Sequence, residues 1–415
     1  MIQRPKGTRD ILPEETFKWK YVNTQVEKIL DKYGFKEIRI PVFEYTELFQ
    51  RGVGDDTDIV QKEMYTFNDK GGRSITLRPE GTSGVVRAYL ENGMYSMPTP
   101  SKLWYNLTAY RYENVQKGRQ REFNQIGIEL LGTQSYLADV EVIVVGSEIF
   151  KALNITDVKL AINSIGCPKC REEYNKILKE YLLKHKDNYC GDCNARMERN
   201  PMRILDCKEE KCKEINKNAP RSIDYLCEEC KIHFENVKKL LNELGYNYTI
   251  DTGLVRGLDY YTKTVFEFID EKQGLTILGG GRYDGLAKEI SEQDVPAVGF
   301  AIGLERLVNT FDVYNEGKIE QLSPQIFVAS IGEIANIYAT KLVEQLRSKD
   351  IYAEKDICER SLKAQFKYAD KTNCKYIITI GDNEIETKKA KLKNMKTGEE
   401  KEVTLDVLNI IKEIQ

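Results

Sequence analysis

The sequence predicts an α+β fold in which an antiparallel sheet is interrupted by a mostly helical insertion and followed by a small α/β domain. At 415 residues the chain is too long for one ordinary hydrophobic core. Strand-like segments occur on both sides of a region where helical runs rich in Lys and Glu alternate with pairs of cysteines. The predicted segments are 1–166 and 246–320 for the sheet domain, 167–245 for the insertion and 325–415 for the α/β domain.

The sheet domain begins with a helix and a strand. Residues 16–33 place apolar side chains on one face at helical spacing, and Gly34 is a typical stop. Residues 35–41 alternate like a strand that a proline closes. The other elements predicted before the insertion are strands at 64–67, 74–77, 102–111 and 125–131, and a helix at 138–153.

The sheet is predicted to resume near Tyr248. The glycine run at 279–285 predicts a turn into a helix, and 309–323 is predicted to be a polar linker. The strands predicted after the insertion are 265–269, 276–278, 326–330, 352–354 and 376–380. Helices that start at Ala335 and Leu362, two more strands and a final helix complete a pattern typical of a small α/β domain with a mixed sheet.

Composition and charge exclude several classes of function. The net charge of −3 does not indicate a general nucleic-acid binder, so any RNA site must be a local basic patch. No apolar run approaches the roughly 18 residues that a membrane helix needs, and charged residues interrupt the N-terminus where a signal peptide would be apolar. We therefore expect a cytoplasmic protein whose cysteines are reduced.

One segment points most clearly to a ligand site. Residues 254–262 read L-V-R-G-L-D-Y-Y-T, with an arginine beside a glycine and two adjacent tyrosines. This pattern suits a pocket for a charged ligand with a polar ring better than it suits a core. Three other segments combine arginines with polar residues: T-L-R-P-E-G-T at 76–82, R-Y-E at 111–113 and R-Q-R-E-F-N-Q at 119–125.

Other familiar site motifs are missing from the sequence. The chain has only two histidines, His185 and His233, so histidine-based triads and zinc hydrolase sites are excluded. It has no phosphate loop of the G-x-x-x-x-G-K-S/T type, and the glycines at 279–281 lack the spacing of a dinucleotide fingerprint. We interpret these glycines as a close approach of backbone to a ligand, with a plain turn as the alternative.

The motifs resemble those of the histidyl-tRNA synthetase family of class II aminoacyl-tRNA synthetases, from Lys6 to the C-terminus. The resemblance implies an antiparallel-sheet catalytic domain with a helical insertion, and an anticodon-binding domain at 325–415. The helix and strand at 16–41 look like the motif that forms the dimer interface in this class. The implied substrates and partners are histidine, ATP with Mg²⁺, tRNA and a second copy of the chain.

Aminoacylation starts when the carboxylate of the amino acid attacks the α-phosphorus of ATP. That carboxylate is already ionised, so the step needs charge neutralisation on the polyphosphate, which arginines supply. By resemblance, Arg111 contacts the α-phosphate, Arg306 contacts the γ-phosphate, and Arg256 stabilises the transition state near the α-phosphate. Arg111 and Arg256 are thus the implied catalytic residues. The other implied ATP-binding residues are Glu113 near the adenine amino group, Arg119 on the phosphates and Phe123 on the adenine ring.

Histidine recognition needs acceptors for the ammonium and a polar cage for the imidazole. The residues that the resemblance assigns to histidine are Glu80, Thr82 and Gln125 at its amino and carboxylate end, Arg256, and Glu129, Tyr260, Tyr261 and Tyr283 at its ring. If 125–131 is a strand, Gln125 and Glu129 share one face and the isoleucines between them the other. Tyr112 and Asn124 stand where many relatives have histidine, which bears on contacts with the acceptor end of the tRNA, where Arg121 is another candidate.

The cysteines of the insertion form four close pairs. These pairs are Cys167 with Cys170, Cys190 with Cys193, Cys207 with Cys212, and Cys227 with Cys230. The spacing suits one or two structural zinc sites, and buried reduced thiols are the alternative. Cys358 and Cys374 are expected in the core.

Two other readings of the whole chain stay open at this stage. A regulatory subunit of ATP phosphoribosyltransferase has the same fold without aminoacylation, and a tRNA-binding module of a stress-sensing kinase is a more distant alternative. Intact phosphate-binding arginines and a full C-terminal domain favour the enzyme. In that domain, residues 388–393 alternate lysines with apolar residues, which suits either contact with an RNA backbone or a solubilising edge strand.

Overall fold

The computed structural model describes residues 1–54, 57–116, 118–319 and 321–415. The chain forms two compact units, Met1–Ile319 and Glu320–Gln415. A large, mostly antiparallel sheet with packed helices, together with a separate α/β unit, confirms the predicted α+β fold class. Within the described ranges, no helix is both long and apolar enough to cross a membrane.

Two sheets organise the first unit. Its strands, in chain order, are β1 (Lys36–Glu37), β2 (Phe43–Tyr45), β3 (Tyr65–Asn68), β4 (Ser74–Leu77), β5 (Ser101–Tyr110), β6 (Glu122–Leu131), β7 (Val158–Ser164), β8 (Thr249–Ile250), β9 (Thr262–Asp270), β10 (Leu275–Arg282) and β11 (Ala297–Gly303). The main sheet has the order β1-β5-β6-β11-β10-β9-β7-β8 and is antiparallel except at its two edges. Strands β2, β4 and β3 form a separate sheet.

Helices cover one face of the main sheet. The helices of the first unit, in chain order, are α1 (Pro13–Lys32), α2 (Thr46–Val53), α3 (Thr82–Glu91), α4 (Tyr136–Ala152), α5 (Pro168–Lys184), α6 (Gly191–Arg196), α7 (Glu210–Asn216), α8 (Glu228–Glu243), α9 (Leu286–Ile290) and α10 (Leu304–Tyr314). Apolar residues of α1, α4, α8 and α10 pack on the sheet through side chains such as Val22, Ile143, Val237 and Leu307. This burial leaves the opposite face to α3, α9 and the candidate site.

The predicted insertion is mostly helical, with α5 to α8 joined by short 3₁₀ turns at Lys186–Asn188, Pro201–Asp206 and Ser222–Tyr225. Its small core combines Tyr174, Leu178 and Ile204 with several cysteines. The boundaries proposed for the insertion and for the sheet domain remain predictions.

The second unit is a five-stranded mixed sheet with helices. Its elements are β12 (Ile326–Ser330), α11 (Glu333–Arg347), β13 (Ala353–Lys355), α12 (Leu362–Lys371), β14 (Tyr376–Ile380), α13 (Asp382–Thr387), β15 (Lys389–Asn394), β16 (Glu400–Thr404) and α14 (Val407–Ile414). The strand order is β13-β12-β14-β15-β16, with parallel pairs between the first three strands and antiparallel pairs after them. The predicted mixed sheet is therefore present, and α13 is an addition to it.

Three local predictions for the first unit are wrong. The glycines 279–281 lie inside β10 rather than in a turn, because their backbone pairs with β9 and β11. Residues 309–314 continue α10, since Thr310 and Phe311 are buried, so the polar stretch is shorter than predicted, and residue 320 of it lies outside the described ranges. Only Lys36–Glu37 of the predicted strand at 35–41 pairs with β5.

Two further predictions about the second unit are also wrong. Cys358 is exposed rather than in the core, whereas Cys374 is buried as expected. The lysine-rich strand β15 is not an edge strand, because β16 pairs with its outer side. Its lysines face glutamates of that neighbour, with Lys389 2.7 Å from Glu402.

Candidate active site

The candidate site lies on the face of the main sheet opposite α1 and α4. Strand β6 shows how the sequence creates this face. Ile126 and Ile128 are buried in the helix-covered core, whereas Gln125 and Glu129 project to the other side, because the side chains of a strand alternate. These two polar side chains therefore share one face, as the strand pattern predicts.

Glu129 is the centre of a buried polar cluster. Its side chain accepts a hydrogen bond from the Thr82 hydroxyl at 2.7 Å and another from the Tyr283 hydroxyl. Burial raises the pKa of Glu129 to about 8, even though these hydrogen bonds oppose the shift. A ligand that donates a proton or carries a positive charge would favour the ionised carboxylate, so the cluster is suited to a cationic or hydrogen-bond-donating group.

Glu80 lies beside this cluster, but its carboxylate is directed at backbone. It accepts hydrogen bonds from the amides of Thr82 at 2.6 Å and Ser83 at 2.8 Å, at the start of α3. The first amides of a helix have no partner within the helix, so this contact satisfies two of them. Glu80 therefore fixes the position of Thr82, which in turn contacts Glu129.

Aromatic rings form the wall of the pocket. Tyr260 and Tyr261 have ring centroids 4.7 Å apart, and Tyr283 lies 5.5 Å from the first ring and 6.4 Å from the second. All three are buried. Tyr105 on β5 belongs to the same cluster, and sequence analysis missed it, although it lies on the face of β5 that pairs across to Gly127.

Arg256 lies on the same face, two strands away from Glu129. Its guanidinium forms an ion pair with Glu267 on β9 and rests above Gly279 on β10. Burial is the largest effect on Arg256 and opposes its charge, but the Glu267 carboxylate together with Tyr261 and Tyr260 raises its pKa. Glu267 was not predicted. It reaches the site because β9 pairs with β10 so that Glu267 lies opposite Gly279, and this pairing cannot be read from the sequence alone.

A second group of charged residues surrounds the loop between β5 and β6. Glu113 lies 3.8 Å from Arg111 and 3.5 Å from Arg119, measured between the nearest charged atoms. The Arg111 guanidinium lies 5.2 Å from the centre of the Phe123 ring. The predicted ATP-binding residues of this loop are thus neighbours in the structure.

Arg306 joins this group from the first turn of α10. It donates hydrogen bonds to the carbonyl oxygens of Gly118, at 3.1 and 3.2 Å, and Thr276, at 2.7 Å. Burial, and then the nearby charge of Arg119, lower the pKa of Arg306. Guanidinium groups that repel one another in this way form a favourable site for a polyanion.

Tyr112 and Asn124, which the resemblance singled out as departures from the family pattern, make internal contacts. The Arg121 guanidinium lies 3.6 Å from the centre of the Tyr112 ring, a cation–π contact. Asn124 donates to Glu305 from its backbone amide at 2.8 Å and from its side-chain amide at 2.9 Å. Tyr112 thus positions Arg121, and Asn124 ties β6 to α10.

Glycines make the floor of the site, and sequence analysis did not anticipate their arrangement. Gly279 and Gly281 on β10, Gly299 on β11 and Gly127 on β6 all lie on the site face. A side chain at Gly299 would overlap the Glu129 carboxylate, and one at Gly127 would overlap Tyr105. The missing side chains leave a surface on which a flat or extended ligand can rest.

Several buried polar atoms in this face have no hydrogen-bond partner within the described part of the chain. They include the carbonyl oxygen of the Gln125 side chain, Nε of Arg256 and the Tyr105 hydroxyl. Leaving such atoms unsatisfied costs roughly 1–3 kcal/mol each. A ligand with an ammonium and a carboxylate or phosphate would supply the missing partners.

A cavity of about 190 Å³ extends from Arg256 toward the insertion. Its lining includes Tyr261, Asp259, Arg199 and Arg203.

The paired cysteines of the insertion are not part of this lining. They form two groups of four, one with Cys167, Cys170, Cys227 and Cys230, and one with Cys190, Cys193, Cys207 and Cys212.

An antiparallel sheet with helices on one face, and arginines around a buried polar pocket on the other, agrees with the architecture of class II aminoacyl-tRNA synthetases that the motifs resemble. Comparison with known proteins narrows the class. The family model for histidyl-tRNA synthetase matches residues 7–187 and 192–307, and the model for an anticodon binding domain matches 325–415.

Relatives named as histidine–tRNA ligases match over nearly the full length. The histidine–tRNA ligase of Acetivibrio thermocellus is 58% identical over 98% of each chain, and that of Halothermothrix orenii is 50% identical over 100% of this chain and 99% of its own. The crystal structure of apo histidyl-tRNA synthetase from S. aureus superposes with a TM-score of 0.82, at 40% identity over 99% of each chain. The chain belongs to the histidyl-tRNA synthetase family, and it is an aminoacyl-tRNA synthetase.

The regulatory alternative has weaker support. An ATP phosphoribosyltransferase regulatory subunit/histidyl-tRNA synthetase from Bacillus halodurans matches with a TM-score of 0.67 at 21% identity, over 92% of this chain and 98% of its own. That likeness establishes a shared fold only. Identities of 50% and 58% to ligases over the full length favour the enzyme.

Proposed function

We propose that this chain joins histidine to its tRNA in two steps. Histidine and ATP first give histidyl-adenylate and pyrophosphate, and the histidyl group then passes to the 3′-terminal adenosine of the tRNA. The observation that carries the proposal is the continuous site face, where the Gln125–Glu129 pocket adjoins Arg256 and the arginine group of Arg111. One end suits a cationic, ring-bearing amino acid, and the other suits a polyphosphate.

In the first step, a carboxylate oxygen of histidine bonds to the α-phosphorus as the bond to the bridging oxygen of pyrophosphate breaks. Arg256 and Arg111 are proposed to stabilise the charge that develops on the α-phosphate, because guanidinium groups stay charged and grip phosphate oxygens in pairs. Arg306 and Arg119 are proposed to hold the outer phosphates. Phe123 is proposed to stack on adenine, and Glu113 to accept from its amino group.

The histidine substrate is proposed to lie over the glycine floor. Gln125 would accept from the ammonium, since its carbonyl oxygen is buried and lacks a partner in the described chain. Glu129 would accept from the imidazole, within the cage of Tyr260, Tyr261 and Tyr283. An amino acid without a ring nitrogen would offer Glu129 no donor beyond the hydroxyls of Thr82 and Tyr283, and this is the proposed physical basis of specificity.

Mg²⁺ is proposed to accompany ATP and to neutralise part of the charge of the polyphosphate. Glu113 and Glu267, the carboxylates next to the arginines, offer oxygen ligands of the type that this ion prefers. The same residues also balance the positive charge of the site before ATP binds.

The transfer of histidine to tRNA and the homodimer are proposed from the resemblance to class II synthetases. A ribose hydroxyl of the terminal adenosine attacks the histidyl carbonyl, and AMP leaves. The unit that contains 325–415 is proposed to bind the anticodon, and the protein is proposed to act in the cytoplasm as a homodimer. The sheet of β2, β4 and β3 supports a dimer, since Phe43, Tyr45 and Phe67 are exposed on one of its faces.

The test is histidine-dependent ATP–pyrophosphate exchange on the purified protein, with Mg²⁺, for the wild type and for Arg256→Ala. We expect exchange with histidine alone among the amino acids, and a loss of at least about 100-fold in the variant, as for removal of one transition-state donor. Arg199→Ala is the matched control, because Arg199 is exposed and lines the same cavity. A folded wild type without exchange would instead support the regulatory-subunit reading, and exchange unchanged by Arg256→Ala would remove that residue from the mechanism.

A further inference from the structure

The folded chain selects one way of combining the four cysteine pairs of the insertion. The pair at the start of α5 joins the pair at the start of α8, so that Cys167 and Cys170 meet Cys227 and Cys230 across almost the whole insertion. The two middle pairs meet each other within it. In each group the four sulfur atoms all lie within 4.8 Å of one another.

The distances between sulfur atoms fit a single tetrahedral metal ion. With Zn–S bonds of about 2.3 Å, tetrahedral geometry places the sulfurs about 3.8 Å apart. The structure has 3.6 Å between Cys167 and Cys170, 4.0 Å between Cys167 and Cys227, and 3.9 Å between Cys190 and Cys207. A disulfide requires about 2.0 Å, and all eight cysteines are free thiols in the structure.

Backbone amides point at the sulfurs, as they do around thiolate ligands. The amide of Cys227 donates to the sulfur of Cys170 at 3.1 Å, and the amide of Cys190 donates to that of Cys212 at 3.4 Å. Cys167 and Cys227 also stand immediately before α5 and α8, where helix amides favour negative charge. Hydrogen bonds from amides to sulfur orient the ligands and offset part of the negative charge of a four-thiolate site.

We propose that the insertion holds two structural Zn²⁺ ions, each bound by four cysteine thiolates. The first site is formed by Cys167, Cys170, Cys227 and Cys230, and the second by Cys190, Cys193, Cys207 and Cys212. Zinc favours closed tetrahedral sites of four sulfurs, whereas Mg²⁺ and Ca²⁺ favour oxygen. The described apolar core of the insertion is small and already includes cysteines of the second site, so metal binding supplies stability that side-chain packing alone does not.

The first site closes the two ends of the insertion next to the tyrosine pair of the pocket. Gly166, next to Cys167, accepts from the amide of Lys263 at 2.9 Å, and Ile165 donates back to the same residue at 2.9 Å. Arg171, in the helix that carries Cys170, donates to the carbonyl of Asp259 at 3.3 Å. The first zinc therefore anchors the segment that leads through Tyr260 and Tyr261 into β9.

The second site anchors a segment that reaches the catalytic arginine. Cys193 and Cys207 bracket this segment, whose side chains contact residues of the sheet domain. Arg196 pairs with Asp58 at 2.7 Å, Asn200 donates to Asp259 at 2.7 Å, and Arg203 donates to the carbonyl of Arg256 at 3.3 Å. The second zinc therefore positions Arg256 through its backbone. This positioning role rests on the proposed function, whereas the presence of zinc is independent of it.

The test is the metal content of the full-length protein, purified without chelators from zinc-supplemented medium and measured by mass spectrometry of the elements. We expect about two zinc per chain. Cys167→Ser with Cys170→Ser, and Cys190→Ser with Cys193→Ser, should each leave about one, and the four substitutions together none. Cys358→Ser with Cys374→Ser is the matched control in the second unit and should leave two.

A wild type without zinc, or one that holds iron instead, would overturn the proposal, and so would a single zinc per chain. Cobalt substitution gives a readout independent of the variants, because tetrahedral thiolate ligation produces intense thiolate-to-cobalt absorption, and its absence would also overturn the assignment. For the positioning role, the second-site variant should raise the KM for histidine or lower kcat in exchange by about tenfold or more. Zinc-free protein with histidine-dependent exchange would refute the metal sites alone, and two zinc ions without exchange would refute the proposed function alone.

Discussion

At the scale of single residues, Glu129 shows how a buried carboxyl can make the pocket specific for a ligand. Its carboxyl is fully buried, and the partners nearest to it are the hydroxyls of Thr82 and Tyr283. Burial raises its pKa to about 8 from an ordinary value of 4.5. The folded protein therefore holds a proton there at a pH where the unfolded chain does not. A bound imidazole that donates to the carboxylate reverses this preference, so proton release and histidine binding are linked.

We predict that Glu129→Gln removes part of the pH dependence of stability. The contribution of Glu129 to the free energy of unfolding is complete below pH 4.5 and is lost as the pH rises to about 8, because the folded pKa is the raised one. Between these values the wild type should lose up to about 1.4 kcal/mol per pH unit more than the variant. Urea unfolding at several pH values measures the difference.

The same variant should raise the KM for histidine in exchange by about 10- to 100-fold, the worth of a hydrogen bond to a charged group. Glu91→Gln, which changes an exposed carboxylate on α3, is the matched control for both measurements. Parallel pH profiles for wild type and Glu129→Gln would show that Glu129 is not the buried proton acceptor.

The alternation of β6 was enough to place Gln125 and Glu129 on one face, since a strand pattern is local information. Tyr105 and Glu267 escaped prediction for the opposite reason. Each lies on a strand whose own pattern is unremarkable, and only pairing with Gly127 and Gly279 brings it to the site. Contacts between strands distant in sequence are not encoded in any one segment.

At the scale of elements, β10 and β11 were the hardest to predict. Glycine lacks the side chain that makes a strand pattern visible, so 279–281 looked like a turn. In the structure these glycines occupy the middle of the sheet because larger residues would overlap neighbours on both faces. Gly280 faces Phe266 and Phe300, and Gly279 faces Arg256. Strand β10 is therefore specified by the side chains packed around its glycines rather than by a residue pattern of its own.

We predict that Gly279→Ala inactivates the enzyme while it leaves the fold in place. An added methyl group would overlap the Arg256 guanidinium, which must move away from Glu267. Exchange should fall by about 100-fold, a loss similar to that in Arg256→Ala. Gly285→Ala is the control, since open space surrounds its position and its φ is negative. Full activity of Gly279→Ala would mean that Arg256 is not held in a fixed position.

At the scale of the whole molecule, the order of elements was more predictable than their pairing. The alternating strands and helices of 325–415 indicated the second unit correctly, because each element there carries its own apolar pattern. The insertion was predicted from its helices and cysteines, but four pairs can be grouped two by two in three ways. Only the folded chain shows that the outermost pairs meet, since that contact spans the whole insertion.

The separation of the chain into two units leads to a last prediction. The residues proposed to bind histidine and ATP all lie within Met1–Ile319, and its sheet has its own apolar cores. The second unit has a separate core built on β12 and β14. A protein that lacks residues 325–415 should therefore keep histidine-dependent exchange within about threefold, because adenylate formation uses contacts of the first unit alone.

Charging of tRNA by the same truncated protein should fall by about 100-fold or more, since tRNA would lose the contacts proposed for the anticodon. Exchange and charging are measured on one preparation, and circular dichroism with gel filtration verifies that the first unit is folded. An equal loss of both activities in a folded protein would contradict the proposed division of labour, because the second unit would then be needed for the chemistry itself. A selective loss of charging would place the tRNA-binding energy in the second unit, apart from the chemistry on the glycine floor.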